Sequence, residues 1–319
     1  MRVAMVCPAP AGSRLGNRVT AVRWKQLLGE LGHQVSITTA LPRRHHDVLV
    51  ALHARHSAEA VRWSRHTHPT RPIVLALTGT DLYRDIIDDA SAQRSLDLAD
   101  VLVVLHDQAA RALPRRYRGK VRVIRQSADA SRAAEPPPRT STFDVALVAH
   151  LRAEKDPLRA ALAVRALPTA SKVRIVHAGR ALGEAFRAAA EAEQAANPRY
   201  RWLGELAPAA SRALIARSRL LVLTSVMEGG ANVLGEAIVS GTPVVATRIP
   251  ATVSALGARY PGLFRVGDTA ALTRLLRRAE REPSFLARLG RDTRARRPLF
   301  ARSVEKAAWR ALLREISSR

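Results

Sequence analysis

Apolar residues in this chain come in short blocks separated by polar segments, and two different periods alternate. Residues 2–6 (RVAMV), 47–52 (DVLVAL), 73–77 (IVLAL), 101–105 (VLVVL) and 121–124 are mostly apolar runs bounded by turn residues. Runs of this length, without alternation, fit strands buried on both faces of a parallel sheet. Between the first two lies 17–31, with apolar residues at 19, 22, 24, 27, 28 and 31, which is a helical period. Gly32-His33 ends that helix, and 35–38 reads as a second strand. Helices are expected over 57–67 and 90–98. The order β–loop–α–β predicts a doubly wound sheet.

Consecutive prolines in 135–140 (EPPPRT) favour extended chain and cannot continue a helix or a central strand. A linker is expected there. Beyond it the strand–helix alternation restarts. Strands are expected at 143–149, 173–177, 200–203, 220–223, 244–246 and 263–266. Helices are expected from 157 to about 167 and over 183–196, 208–217, 269–281 and 284–293, with an amphipathic one at 302–316. The chain thus reads as two α/β halves with no short internal repeat.

In open parallel sheets the ligand crevice lies at the carboxyl ends of the strands. In the first half those ends carry His53, Thr78, Thr80, Asp81, His106, Gln126 and Ser127. Gly16, Asn17, Arg18, Thr20 and Arg23 mark the start of the first helix, where amide groups and basic side chains suit an anion. Helix capping and surface charge is the alternative reading for that group. An ordinary turn with an N-cap is the alternative for Thr78, Thr80 and Asp81. The loop before the helix holds Gly12 and Gly16 but no GxGxxG, so a dinucleotide fingerprint is not predicted.

The most informative stretch is 227–249, MEGGANVLGEAIVSGTPVVATRI. Glu228 precedes Gly229 and Gly230, and a helix begins near Ala231, Asn232 and Val233. Glu236 follows Glu228 at the E-x7-E spacing. Amides at a helix start can hold a diphosphate, with Glu228 accepting from sugar hydroxyls and Glu236 from ribose hydroxyls. The spacing alone is weak, and two surface glutamates would be the bland reading. The conjunction with the glycines, the helix and SGTPVVA is far more specific. Arg152 and Lys155, after the first strand of the second half, are spaced to reach one phosphate and to neutralise charge on a leaving diphosphate, with a solvated basic loop as the alternative reading.

Composition narrows the classes. The chain has 319 residues, 47% of them hydrophobic, enough for two ordinary cores. The formal charge of +25 comes from 52 Lys and Arg against 27 Asp and Glu. The lysines are only Lys25, Lys120, Lys155, Lys172 and Lys306, and the arginines are spread along the chain. Aromatics are 4%, with no basic–aromatic interleaving, so a nucleic-acid partner is not expected. A single cysteine, Cys7, fits a reducing compartment and excludes an internal disulfide. No apolar run approaches the roughly 20 residues of a membrane span, and 2–6 reads as a strand rather than a signal segment. The expectation is a soluble, cytoplasmic protein with no membrane partner. The ten histidines show no metal-ligand spacing with cysteine or carboxylate, so no metal and no other cofactor is expected.

Arg152…Lys155, the E-x7-E of Glu228 and Glu236, and SGTPVVA together resemble the GT-B glycosyltransferases of the large retaining group 4. The resemblance implies an α/β GT-B fold: two Rossmann-like, doubly wound parallel-sheet domains facing a central cleft. It implies an acceptor-binding domain at 1–137, a nucleotide-sugar-binding domain at 138–298, and a helix at 299–319 packing back on the first. The strings GNRVTAVRW (16–24), LTGTDLYRDI (77–86), IRQSAD (124–129) and HLRAEKDPLRAALA (150–163) resemble the selenosugar synthases of selenoneine biosynthesis. That implies a UDP-sugar donor, UDP-N-acetylglucosamine or UDP-glucose, and selenophosphate as acceptor, with domain closure excluding water. Many group 4 enzymes carry a histidine in an HGxD-like string where this chain has Thr78-Gly79-Thr80-Asp81. Selenophosphate, an anionic soft nucleophile, needs positive charge rather than the base an alcohol needs, and Arg18 and Arg23 are expected to supply it. The alternatives are a transferase with a hydroxyl acceptor and a basic nucleic-acid-binding protein.

Overall fold

The computed structural model describes residues 1–129 and 142–318, so the expected linker at 135–140 lies outside the described residues. Two compact units emerge: 1–127 together with 301–319, and 128–300.

The first unit holds β1 (Arg2–Val6), β2 (Gln34–Thr38), β3 (Val48–Leu52), β4 (Ile73–Ala76), β5 (Val101–Val104) and β6 (Val121–Val123). They form one parallel sheet in the order β2-β1-β3-β4-β5-β6. Every residue of β3, β4 and β5 is buried, which is why those runs show no polar alternation. Helix Gly16–Glu30 lays Trp24, Leu27 and Leu28 into the core. Helix Arg302–Ser317 belongs to this unit. Trp309 meets Trp24 edge-on at 4.8 Å, and Glu305 accepts from Trp24 Nε1 at 2.8 Å. Arg122 grips Glu315 with two guanidinium hydrogen bonds, at 2.8 and 2.6 Å.

The second unit holds β7 (Phe143–Val148), β8 (Val173–Ala178), β9 (Tyr200–Trp202), β10 (Leu220–Leu223), β11 (Val244–Thr247) and β12 (Leu263–Phe264). The parallel order is β12-β11-β10-β7-β8-β9. The doubly wound α/β architecture expected from the apolar blocks is therefore present in both units. Strand order reverses between β1 and β3 in the first sheet and between β7 and β10 in the second. At such switch points the loops after neighbouring strands part and leave a crevice.

Several elements depart from the sequence reading. A π-type turn, Asp81–Asp85, follows β4 and runs into a short helical turn at Ile86–Asp88. Helix Pro250–Leu256 was not expected; its seven residues are too few to repeat a period. The last strand is also shorter than 263–266, with only Leu263 and Phe264 paired. Among the described residues no helix is long and apolar enough to cross a membrane.

Candidate functional site

In the second unit the switch point is built from the loops after β7 and β10. The β7 loop runs through Arg152, in extended conformation, into a 3-10 turn at Ala153–Lys155, and Asp156 closes it at φ 43°. The β10 loop holds that turn in place. Val226 N–H donates to the Glu154 carbonyl at 2.9 Å. Thr224 Oγ1 shares its proton between the carbonyls of Lys155 at 2.8 Å and Asp156 at 2.9 Å. The same loop then brings Glu228 to Lys155: the ammonium donates to Glu228 Oε1. Ser225 Oγ donates to that same oxygen at 2.6 Å, and Thr247 Oγ1 anchors the Ser225 carbonyl at 2.6 Å.

Both partners of the ion pair are largely buried, with 18% of the Lys155 and 10% of the Glu228 side chain exposed. Glu228 Oε2 makes no hydrogen bond among the described residues. Arg152 stands 3.7 Å from Glu154, and its Nε is buried without a hydrogen-bond partner among the described residues. That nitrogen is the atom facing the Glu154 carboxylate, at ion-pair rather than hydrogen-bond distance. Gly229 is buried and Gly230 half-buried, leading through Ala231 into helix Asn232–Ser240. No acidic residue occupies its first turn, so the dipole end is unopposed there. Its amides at Leu234 and Gly235 bond back to the Ala231 carbonyl, at 2.9 and 3.3 Å. Glu236 lies one turn in and is half-buried. The structure thus brings Lys155 and Glu228 into direct contact, and sets Arg152 and the 229–233 segment on the two loops that flank the switch point.

The start of the β7 loop is braced by a buried histidine. His177 Nε2–H donates to the Ala149 carbonyl at 2.9 Å, and Tyr200 O–H donates to His177 Nδ1 at 2.8 Å. Burial drives the His177 pKa from 6.5 down to about 4; the Ala149 bond opposes the shift and His150 adds to it. The unfolded chain accepts a proton that the folded one refuses. Stability from His177 is therefore complete above about 6.5 and is lost as pH falls towards about 4. At pH 5 the expected loss is about 2 kcal/mol. Urea unfolding at pH 7 and pH 5 checks this, because His177→Gln should remove that part of the pH dependence.

In the first unit the switch point gathers the loops after β1 and β3, with the β4 loop beside them. Gly16, Asn17 and Arg18 sit at the start of the β1 helix, where Arg18 and Val19 amides already bond to the Leu15 carbonyl. Arg23 lies further along the helix and is half-buried. Thr20 is buried and accepts from Gln126 Nε2 at 2.6 Å. Ser127 gives both its amide and its hydroxyl to Glu305 Oε2, at 2.8 and 2.5 Å. Asp81 is fully buried: Oδ1 accepts from the Thr78 amide and hydroxyl, and Oδ2 from the Ala54 amide. Asp81 therefore holds the loops together rather than facing an acceptor. Thr80 Oγ1 pairs with His53 Nε2 at 3.1 Å.

Several contributors were invisible in the sequence. Thr224, Ser225 and Thr247 shape the ion pair, and Glu305 fixes Ser127 from a distant helix. The sequence shows no metal-ligand grouping, yet the fold brings ligand atoms of His53, His56 and Asp85 within 4.8 Å of one another. His53-x-x-His56 was the only available signal; Asp85 comes from another element. Cys7 is buried, and burial pushes its thiol up, which does not suit a nucleophile.

A family model described as "Glycosyl transferases group 1" matches residues 131–296, just over half of the chain. No curated protein matches by sequence. Solved structures do match by shape. Sucrose-phosphate synthase from Thermosynechococcus elongatus superposes with TM-score 0.80 at 16% identity, covering 99% of each chain. HepE of Anabaena in complex with UDP and glucose gives 0.77 at 16% identity, covering both chains completely (100% and 100%). The UDP-forming α,α-trehalose-phosphate synthase of Burkholderia vietnamiensis gives 0.72 at 17%, covering 94% of this chain and 79% of its own.

Proposed function

This chain belongs to the group 1 glycosyltransferases, and from that premise we propose that it transfers a sugar from UDP-N-acetylglucosamine or UDP-glucose to the selenium of selenophosphate. A bond forms between selenium and the anomeric carbon, the bond from that carbon to the diphosphate oxygen breaks, and UDP leaves. Water then cleaves the selenium–phosphorus bond, releasing phosphate and a 1-selenosugar. Neither step is assigned a metal.

The observation that carries the donor half is the Lys155–Glu228 pair at the switch point between β7 and β10. An arriving diphosphate competes for the Lys155 ammonium. Arg152, paired only loosely with Glu154 at 3.7 Å, turns to the same phosphates, and the 229–233 amides complete the cradle. Glu228, released from Lys155, turns its carboxylate to the sugar hydroxyls, and Glu236 serves the ribose. Charge that builds on the leaving diphosphate is neutralised where it develops. Structures of similar shape were solved with UDP and glucose, or named as UDP-forming, which fits a UDP-sugar donor.

The acceptor half rests on the strings at 16–24, 77–86 and 124–129. Their residues lie at or near the carboxyl ends of β1, β4 and β6. Arg18 and Arg23 supply positive charge for an anionic nucleophile, and Thr78 and Thr80 supply hydroxyls. No base is required of a nucleophile that is already ionised.

The test is incubation with each UDP-sugar, with and without selenophosphate, following UDP release and product mass. Selenophosphate-dependent UDP release with a 1-selenosugar mass is expected. Thermal protection by UDP without any selenium-dependent turnover would instead indicate a hydroxyl acceptor. Salt-sensitive binding to nucleic acid, without UDP protection, would remove the transferase reading altogether.

A further inference from the structure

His53 lies outside every string used so far. It follows β3 at the switch point of the first sheet, 3% exposed, in the left-handed backbone region at φ 77°. That conformation is unfavourable for a residue with a side chain and persists only where its surroundings enforce it. Both ring nitrogens are engaged. Nδ1 faces the His56 backbone N–H at 3.3 Å, and a backbone amide can only donate, so Nδ1 is an acceptor. A neutral imidazole carries one proton, which must then sit on Nε2. Nε2 is 3.1 Å from Thr80 Oγ1, and Nε2–H therefore donates to that oxygen. Behind it, Asp85 Oδ2 is buried with no hydrogen-bond partner among the described residues, 3.6 Å from Nε2.

We infer that His53 is a positioning residue for Thr80: by donating from Nε2, it turns the Thr80 hydroxyl proton outward as a hydrogen-bond donor for an acceptor that arrives already ionised. This rests on the proposed reading of the first unit as the acceptor side, and it specifies the chemistry of that side. Thr80 is half-buried, and its hydroxyl proton has no acceptor among the described residues. With Nδ1 held by an amide and Nε2 already protonated, His53 has no lone pair with which to deprotonate an alcohol through Thr80.

The surroundings keep the ring neutral. Burial lowers the His53 pKa; Asp81 and Asp85 oppose this, while His56 and Arg84 reinforce it. Arg84 Nε stands 2.9 Å from Asp85 Oδ1, and Arg55 approaches the same oxygen at 4.0 Å.

The experiment uses the full chain with UDP-sugar saturating and selenophosphate varied. Thr80→Val removes only the hydroxyl and should raise the KM for selenophosphate about tenfold or more, as for a lost hydrogen bond to a charged group. Its kcat and its KM for UDP-sugar should stay within about threefold of the parent. Thr80→Ser should restore the parent KM. His53→Asn tolerates the backbone and should shift the KM in the same direction, and combining it with Thr80→Val should add nothing. A Thr80→Val enzyme with an unchanged selenophosphate KM, or additive effects in the double variant, overturns the inference while leaving the transferase reading intact. If the parent shows no selenophosphate-dependent turnover, the selenophosphate reading fails, and nitrogen-15 spectra of the His53 ring still decide this one. A neutral Nε2–H tautomer at pH 7 is expected; an Nδ1–H tautomer or an imidazolium overturns it.

Discussion

Lys155→Met is expected to cut sugar transfer about a hundredfold to a thousandfold, the usual cost of losing one preorganised group that stabilises transition-state charge. The loss should fall on kcat, because the charge that Lys155 meets grows as the diphosphate leaves. A second effect accompanies it. Methionine leaves Glu228, 8% exposed, without its cation and, among the described residues, with the Ser225 hydroxyl alone on Oε1. An uncompensated, mostly buried carboxylate costs stability, here roughly 1–3 kcal/mol because part of the pair remains solvated. The two effects separate in the double variant Lys155→Met/Glu228→Gln. Neutral glutamine no longer needs the ammonium, so stability should largely return while turnover does not. Steady-state UDP release and urea unfolding on the parent and both variants measure this. Parent-like turnover in Lys155→Met would reduce the pair to a structural ion pair.

The part of this site that the sequence makes legible is the part written in local chemistry. Gly229-Gly230 before an apolar helical run marks a loop and a helix start. Ser240-Gly241-Thr242-Pro243 marks the exit, and Gly241 does adopt φ 78°. Strands buried on both faces advertise themselves as unbroken apolar blocks. What stays hidden is pairing across the chain. Thr224 holds Lys155 from 69 residues away, and Glu305 holds Ser127 from 178. No period or turn residue encodes such partners; they follow only from strand order. The same holds for Asp81. A carboxylate after a strand looks like chemistry, but three internal donors on its two oxygens spend its capacity on holding the loop. Asp85 is hidden in the same way, because a π-type turn, with its unusual period, decides that it points back at His53.

Gly179→Ala is expected to be the most damaging single methyl group in the second unit. An added Cβ would lie 1.7 Å from the Ala149 carbonyl oxygen and 2.4 Å from its carbon. Both are backbone atoms at the start of the loop that carries Arg152 and Lys155, so no side-chain rotation relieves the clash. The Ala149 amide bonds to the Ala178 carbonyl at 2.9 Å, and the Ala149 carbonyl takes the His177 Nε2–H at 2.9 Å. Gly179 N–H is itself held by the Gly204 carbonyl at 2.7 Å, and its own carbonyl accepts from Trp202 Nε1 at 2.8 Å. Making room requires the ends of β7 and β8 to separate and several of these bonds to break together. The expected cost is above about 4 kcal/mol, in the range reserved for broken buried networks and backbone clashes. Gly29→Ala is the control. It lies in helix Gly16–Glu30 with nothing within 4 Å of an added Cβ, so alanine should stabilise by about 0.5–1 kcal/mol. Urea unfolding of both variants measures the contrast. A Gly179→Ala protein as stable as the parent would mean that the β7–β8 ends approach less closely than these distances state, and that the donor loop has slack the ion-pair argument does not allow.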